Sequence, residues 1–388
     1  MDSSTTAIRP EVFSPPRDGT TTVSDYESAR LPDLTMNDIS QTERLPILDI
    51  GQFEGPGSDR TAFLADLREA ARRTGFFYIT GHGISAALIR DLRALAKRFF
   101  ALPAAEKLSI AMVNSPHFRG YNRAGLEHTR GKPDWREQID IGPERQVARS
   151  EPDAPAWTRL QGPNQWPERL PELKPVVLAY QEAVTALAIK VLRAFAAALE
   201  QPEDVFEPIY TPEAHQLLKI IRYPGRSGGD RQGVGAHKDS GFVTILLQDD
   251  QAGLQVQREH GWIDAPPIEG TLVVNVGEIL ELASNGYLRA NVHRVVSPAE
   301  SAERMSIAFF LGARLDATVP VLDLAPELAA QAGGLTQDPM NPLFHDVGRN
   351  YLKGRLRSHP DVAQRHHADL LERAPESCSG AAAPVKAA

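Results

Sequence analysis

A chain of 388 residues with 42% apolar and 24% charged residues has an ordinary globular composition and enough length to bury a sizeable core. Its formal net charge of −8 at pH 7 argues against a nucleic-acid partner, which needs a basic face. A single cysteine, Cys378, excludes an intrachain disulfide, a cysteine-bound zinc site and an iron–sulfur cluster, so the chain does not depend on an oxidising compartment.

Residues 1–42 are rich in Ser, Thr, Asp and Pro and lack apolar periodicity, which predicts a disordered or loosely draped tail; closure over a site is the functional alternative. The first residues have no apolar signal segment, and no uninterrupted apolar run approaches the ~20 residues of a membrane span. A cytoplasmic protein without a membrane partner is therefore expected. Order is expected from residue 45, where 45–50 alternate apolar side chains as a strand does. Residues 60–73 carry Phe63, Leu64, Leu67 and Ala71 at helical spacing, and Gly75 stops that helix. Phe76 to Ile79 form a second strand, ended by Gly81-His82-Gly83, where His82 reads as a turn histidine. A helix over 86–100 follows, with Leu88, Leu92, Leu95 and Phe99 on one side.

Residues 120–125 and 131–134 have turn chemistry. The stretch 135–141 after them reads in two ways: a half-exposed strand, or a substrate-facing segment offering acids and an aromatic. Residues 153–172 predict an irregular connection, and 175–199 the longest helix, with a stripe broad enough to lie across a sheet. The pattern then changes to short strands between Gly, Pro and Asp turns: 216–223, 242–248, 254–258, 262–265, 271–276, 293–296 and 304–311. Helices return over 342–371. Helices first and strands later make an α+β chain whose strand block is a sandwich or small barrel. Expected boundaries are one catalytic domain over 43–373, comprising a helical part (43–210), a strand core (211–315) and C-terminal helices (340–373), with a tail over 374–388.

The chemistry concentrates in the strand block. His237 and Asp239 stand at i and i+2, which share a face on a strand. His293 follows after 53 intervening residues, and Arg304-Met305-Ser306 after ten more. Two imidazoles and one carboxylate bind Fe(II) on one face and leave the other open. An arginine on a neighbouring strand can grip a carboxylate two-pronged, and a serine hydroxyl can add a third bond. Tyr223, ending its strand, reads equally as a co-substrate contact or a core aromatic.

The set Gly75-Phe76-Phe77-Tyr78, Gly81-His82-Gly83-Ile84, Arg222-Tyr223-Pro224, His237-x-Asp239, Leu246-Leu247-Gln248-Asp249-Asp250, Gly253-Leu254-Gln255-Val256, Asn275-Val276-Gly277-Glu278, Asn291-Val292-His293-Arg294-Val295 and Arg304-x-Ser306 resembles the isopenicillin N synthase-like family of Fe(II)- and 2-oxoglutarate-dependent dioxygenases. The resemblance covers residues 45–311. It implies a double-stranded β-helix (jelly roll) core flanked by helices. It implies iron on His237, Asp239 and His293, and 2-oxoglutarate anchored by Arg304 and Ser306, with Tyr223 assisting. The implied reaction is oxidation of a small organic substrate with O2, releasing succinate and CO2, with ascorbate as reductant in vitro. Residues 131–134 and 351–360 are loosely similar to bacterial members related to the ethylene-forming enzyme. Ethylene formation, direct oxidation without 2-oxoglutarate, a non-catalytic metal-holding jelly roll and a zinc hydrolase are the alternatives. Tyr121, Arg123, Trp135, Glu137, Arg222 and Phe310 are the candidates for the substrate wall. The substrate itself and the oligomeric state are not legible.

Overall fold

The computed structural model describes residues 44–147, 153–228, 231–335 and 341–371. The tails expected at 1–42 and 374–388 lie outside the described residues. Strands β1 (Ile47–Asp49) and β2 (Phe76–Thr80) flank helix α1 (Gly57–Arg73). Helices α2 (Ala86–Phe100) and α3 (Ala104–Leu108) come next. Four strands follow: β3 (Gly120–Asn122), β4 (His128–Thr129), β5 (Lys132–Pro133) and β6 (Glu137–Ile141). Helices α4 (Leu173–Ala198) and α5 (Glu207–Tyr210) lead into the strand block. That block runs β7 (Gln216–Pro224), β8 (Gln232–His237), β9 (Val243–Gln248), β10 (Leu254–Arg258), β11 (Gly261–Asp264), β12 (Leu272–Val276), helix α6 (Glu278–Ala283), β13 (His293–Val296) and β14 (Glu303–Leu311). Helices α7 (Pro326–Ala329), α8 (Val347–Ser358), α9 (Pro360–His366) and α10 (Ala368–Leu371) close the described chain.

The strands form the two sheets of the expected jelly roll. The larger has the order β1-β2-β12-β9-β14-β7-β6-β3, the smaller β11-β10-β13-β8. The expected division into helices first and strands later is therefore too strict. β1 and β2 extend one edge of the larger sheet and β6 and β3 the other, so the sandwich recruits strands from the part expected to be helical. β1 and β2 pair in parallel, which requires a crossover, and α1 supplies it. At the end of α1, Gly75 turns at φ +65°, and a Cβ there would lie 2.0 Å from the Arg289 carbonyl oxygen.

The larger sheet is two-faced, and side-chain parity sets which residue faces where. On β14, Met305, Ile307, Phe309 and Leu311 pack into the core shared with the helices, while Ala308 and Phe310 belong to the core between the sheets. The register carries this rule across the sheet. Arg304 lies opposite Tyr223, Ser306 opposite Ile221 and Gln248, and Phe310 opposite Thr244. On β2, Phe77 and Ile79 face the helices, and Phe76 and Tyr78 face inward. By length and composition α4 passes as a membrane span. Its stripe of Val177, Tyr180, Val184, Leu187, Val191 and Phe195 is instead buried in the core formed with α1, α2 and the sheet.

Parity yields a stability test. Phe309 is fully buried, whereas Ile47 is 53% exposed. Phe309→Ala is expected to lower unfolding stability by about 3–5 kcal/mol, and Ile47→Ala by no more than about 0.5 kcal/mol, in urea melts.

Candidate metal centre and anion anchor

His237 is the last residue of β8, and Asp239 lies just past it in the loop to β9. The pair is thus not presented by one strand; a turn folds the carboxylate back toward the imidazole. His293 opens β13 and stands directly opposite His237 in the antiparallel register. The two rings are 4.3 Å apart between centroids. Asp239 Oδ1 lies 3.4 Å from His237 Nε2 and 3.6 Å from His293 Nε2, and one ligand atom from each residue falls within a 4.8 Å set.

The other atoms of these side chains are occupied, which bares the inward ones. His237 Nδ1 bonds the Gly235 carbonyl at 2.8 Å and His293 Nδ1 the Asn291 carbonyl at 3.2 Å; in the neutral Nδ1–H tautomer that these bonds favour, each Nε2 keeps a lone pair. Thr244 Oγ1 donates to Asp239 Oδ2 at 2.6 Å and Asn275 Nδ2 donates to the same oxygen at 2.8 Å, leaving Oδ1 for a cation. Burial opposes ionisation of Asp239, yet the neighbouring imidazoles and the Thr244 bond outweigh it and hold the carboxyl far below the usual carboxylate range. Burial pushes the His293 imidazole down to about 4, which keeps it neutral. Burial works the same way on His237, but the Asp239 carboxylate beside it prevails and raises it. One anionic oxygen and two imidazole nitrogens converging in a buried place fit a divalent iron.

Arg304 supplies the second feature. It is 0% exposed, and no carboxylate of the described residues pairs with it. Its Nη2 donates to Gln248 Oε1 at 2.9 Å and its Nη1 to Ser306 Oγ at 3.3 Å, while Nε has no partner. The guanidinium lies 5.0 Å from the Tyr223 ring centroid. Its hydrogen-bond partners are neutral, and Asp249 is near enough to act on its charge without pairing, so the guanidinium can still take an anion. The residues fit the far carboxylate of a dicarboxylic keto-acid.

The expected wall residues divide by parity. Phe310 faces inward, opposite the Thr244 that holds Asp239. Tyr121, Glu137 and Arg222 do not. They lie on the helix side of the larger sheet, where Glu137 binds Arg222 at 2.7 Å, Lys107 at 2.8 Å and the Tyr121 hydroxyl at 2.6 Å. Arg222 also pairs with Glu303 at 2.8 Å. These three make a structural ion network and are withdrawn as substrate contacts. Arg123 is exposed just past β3. Trp135 precedes β6, its amide bonded to the Gln232 carbonyl and its ring 4.8 Å from the Arg226 guanidinium. His82 accepts from the Ile84 amide at 3.1 Å, as a turn histidine does.

Sequence reading assigned no role to Thr244, Asn275 and Gln248. Each sits on the inward parity of its strand among apolar neighbours, and that was the available signal. Nor did it assign one to Lys219, Arg136 and Arg355, whose charges give no periodic pattern.

The N-terminal part, residues 45–169, matches the model for the non-haem dioxygenase in morphine synthesis N-terminal domain, and residues 213–313 match the 2OG-Fe(II) oxygenase superfamily. A 2-oxoglutarate-dependent dioxygenase of Dothideomycetidae sp. (strain 11243) is 39% identical over 341 residues, covering 83% of this chain and 92% of that one. A homoarginine-6-hydroxylase of Arabidopsis thaliana is 35% identical, covering 73% and 89%. A Neurospora crassa protein solved with alpha-KG and thymine superposes with a TM-score of 0.64 at 26% identity, covering 80% of this chain and 97% of that one.

Two outcomes check the geometry. Thr244→Val is expected to weaken divalent metal binding about tenfold or more, with Thr244→Ser near wild type, in anaerobic metal titrations. Glu278, whose amide donates to the Asp239 carbonyl at 2.7 Å, has a carboxyl pushed up to about 7 by burial. Between the ordinary glutamate value and about 7 the folded protein holds a proton that the unfolded chain has released, so this group makes stability fall as pH rises. Glu278→Gln should flatten that part of the stability–pH curve, read by urea melts from pH 4 to 8.

Proposed function

The chain belongs to the 2OG-Fe(II) oxygenase superfamily of non-haem iron oxidoreductases, and we propose that His237, Asp239 and His293 bind its iron while Arg304, Ser306 and Gln248 hold the far carboxylate of 2-oxoglutarate. One observation carries this assignment. A His–Asp–His cluster with bared ligand atoms shares the interior of the sandwich with a fully buried arginine that no carboxylate of the described residues pairs with. The same unpaired arginine favours a member that uses 2-oxoglutarate over one that oxidises its substrate directly.

When bound, Fe(II), 2-oxoglutarate and O2 supply the oxidant that attacks a substrate C–H bond, with release of succinate and CO2. The protein's own residues orient and insulate. Gly235 and Asn291 fix the two imidazoles through their carbonyls. Thr244 and Asn275 fix the carboxylate so that one oxygen points inward. Arg304 sets the direction of the co-substrate, and the Tyr223 ring covers the guanidinium from one side. Phe310, Leu246 and Val273 supply apolar wall in the same interior. The substrate is a small organic molecule. Relatives are named for homoarginine 6-hydroxylation, and a solved relative is described with thymine. Hydroxylation is the outcome this reading favours.

His237→Ala, Asp239→Ala and His293→Ala should each abolish iron-dependent succinate formation, and undiminished turnover in all three would remove the metal assignment. Arg304→Ala should raise the KM for 2-oxoglutarate by roughly 10–100-fold, matching the loss of about 1.5–3 kcal/mol for charge-assisted hydrogen bonds, with a smaller change in kcat at saturating co-substrate. An unchanged KM would point to an enzyme that does not use it.

A further inference from the structure

We propose that the substrate is an amino acid-like compound whose carboxylate is seated by Arg355, Lys219 and Arg136 inside the sandwich, beside the metal cluster. This deepens the dioxygenase reading above, which places the reacting carbon at the iron. The three cations come from different elements. Lys219 lies on the inward parity of β7, opposite Ala308 and Asp140. Arg355 comes from α8, and Arg136 from the segment entering β6. All are buried, at 6%, 8% and 9% exposure. They adjoin the metal cluster through Asp134, which pairs with Arg136 at 3.3 Å and accepts from the Gly235 amide at 3.1 Å; the Gly235 carbonyl in turn holds His237.

An inventory of donors and acceptors among the described residues decides what is missing. Each acid is ion-paired with a cation. Asp140 Oδ1 accepts from Gln138 and Oδ2 from Arg355 at 2.8 Å. Glu127 Oε1 accepts from Lys219 at 2.8 Å, and Oε2, which makes no hydrogen bond, is ion-paired with Arg136 at 2.9 Å. Asp134 Oδ1 takes Gly235 and Gln232, and its Oδ2 takes Thr129 and Arg136. The donors are not spent. Arg355 uses Nη1 alone, Arg136 uses Nη2 alone with Nε buried and unpartnered, and Lys219 donates one hydrogen bond of its three. Charge points the same way. Arg136, Lys219 and Arg355 balance Glu127, Asp134 and Asp140, but buried Arg119 is near enough to Arg355 and Asp140 to act on both and is held only by carbonyls. The region carries one positive charge in excess, and an anion completes it.

Two neutral acceptors are also open, which selects an amino acid-like compound over a simple acid. Gln138 Oε1 is fully buried and unpartnered. Ser358 gives its hydroxyl proton to the Gly354 carbonyl at 2.9 Å, so His359 donates from Nδ1 to Ser358 Oγ at 2.8 Å. That leaves a lone pair on His359 Nε2, which is buried and unpartnered, 4.0 Å from Glu127 Oε1. An N–H-bearing group beside the carboxylate satisfies both.

The test uses the full chain loaded with Mn(II) and 2-oxoglutarate. L-Homoarginine, L-arginine and L-lysine are titrated against agmatine, cadaverine and L-argininamide by calorimetry. At least one amino acid should bind, at least tenfold tighter than its decarboxylated or amidated partner. Arg355→Gln should weaken that binding at least tenfold and leave the Kd of 2-oxoglutarate within twofold, and Arg355→Lys should restore part of it. The proposal fails if none of the three amino acids binds, if the partners without a carboxylate bind as well, or if Arg355→Gln leaves amino-acid affinity unchanged. It fails also if 2-oxoglutarate affinity falls in parallel, since the cations would then serve the co-substrate. If Arg355→Gln does not melt cooperatively, the comparison within each pair on the wild type decides. Failure of the wild type to bind Mn(II) or 2-oxoglutarate would instead sink the site assignment beneath the proposal.

Discussion

The period-two alternation of β14 is the constraint on which the site depends. Its odd residues Met305, Ile307, Phe309 and Leu311 are taken by the helix-side core, which leaves Arg304, Ser306, Ala308 and Phe310 facing the smaller sheet. A slip of one residue would drive a guanidinium into the packing around α4 and turn four large apolar side chains away from the core they fill. Each such residue contributes about 1.5–3 kcal/mol on burial, and an unpaired buried charge costs several kcal/mol more, so the register has no near competitor. The hydrophobic effect thereby fixes the position of the anion anchor without any interaction designed for that purpose.

What the alternation delivers inward is an interior that is electrostatically unfinished. Among the described residues no Lys or Arg pairs with Asp239, and no carboxylate pairs with Arg304. Neither deficit is repaired by the other, because the anchor and the cluster sit at different levels of the sheet. Arg304 pairs across the strands with Tyr223, whereas the Thr244 that grips Asp239 pairs with Phe310 six residues further along β14. A keto-acid that reaches from one level to the other satisfies both. Electrostatic incompleteness of opposite sign at two separated places is therefore a stronger functional statement than either group alone.

Much of this was legible in the sequence because it is written in short periods. Strand and helix patterns around Phe76, Leu92, Val184 and Phe309 predict the elements, and His237, Asp239, His293 and Arg304 stand at spacings that topology converts into one interior. The substrate wall was not legible in the same way. Glu137 and Asp140 belong to the same strand with opposite parity. Only the register against Arg222 and Lys219 shows that Glu137 joins the helix-side network with Lys107 while Asp140 turns inward. Arg355 is further still in sequence, and its meeting with Asp140 depends on how α8 closes on the sheet. Pairings of that kind leave no periodic trace, so charged residues that look alike in sequence separate only in three dimensions.

Gly235 shows how closely the two halves of the interior are joined. Its carbonyl holds the His237 ring, and its amide is held by Asp134, which also binds Arg136 and Thr129. A Cβ at this position would stand 2.9 Å from Thr129 Cγ2 and 3.0 Å from Gln232 Nε2, so a side chain here would have to push Thr129 on β4 or Gln232 aside. The His237 imidazole and the Arg136 guanidinium are thus linked through one residue, Gly235, and the Asp134 carboxylate. Two hydrogen bonds therefore join Asp134 to His237, and the irregular pairing of β8 with β13 puts His293 opposite that same imidazole.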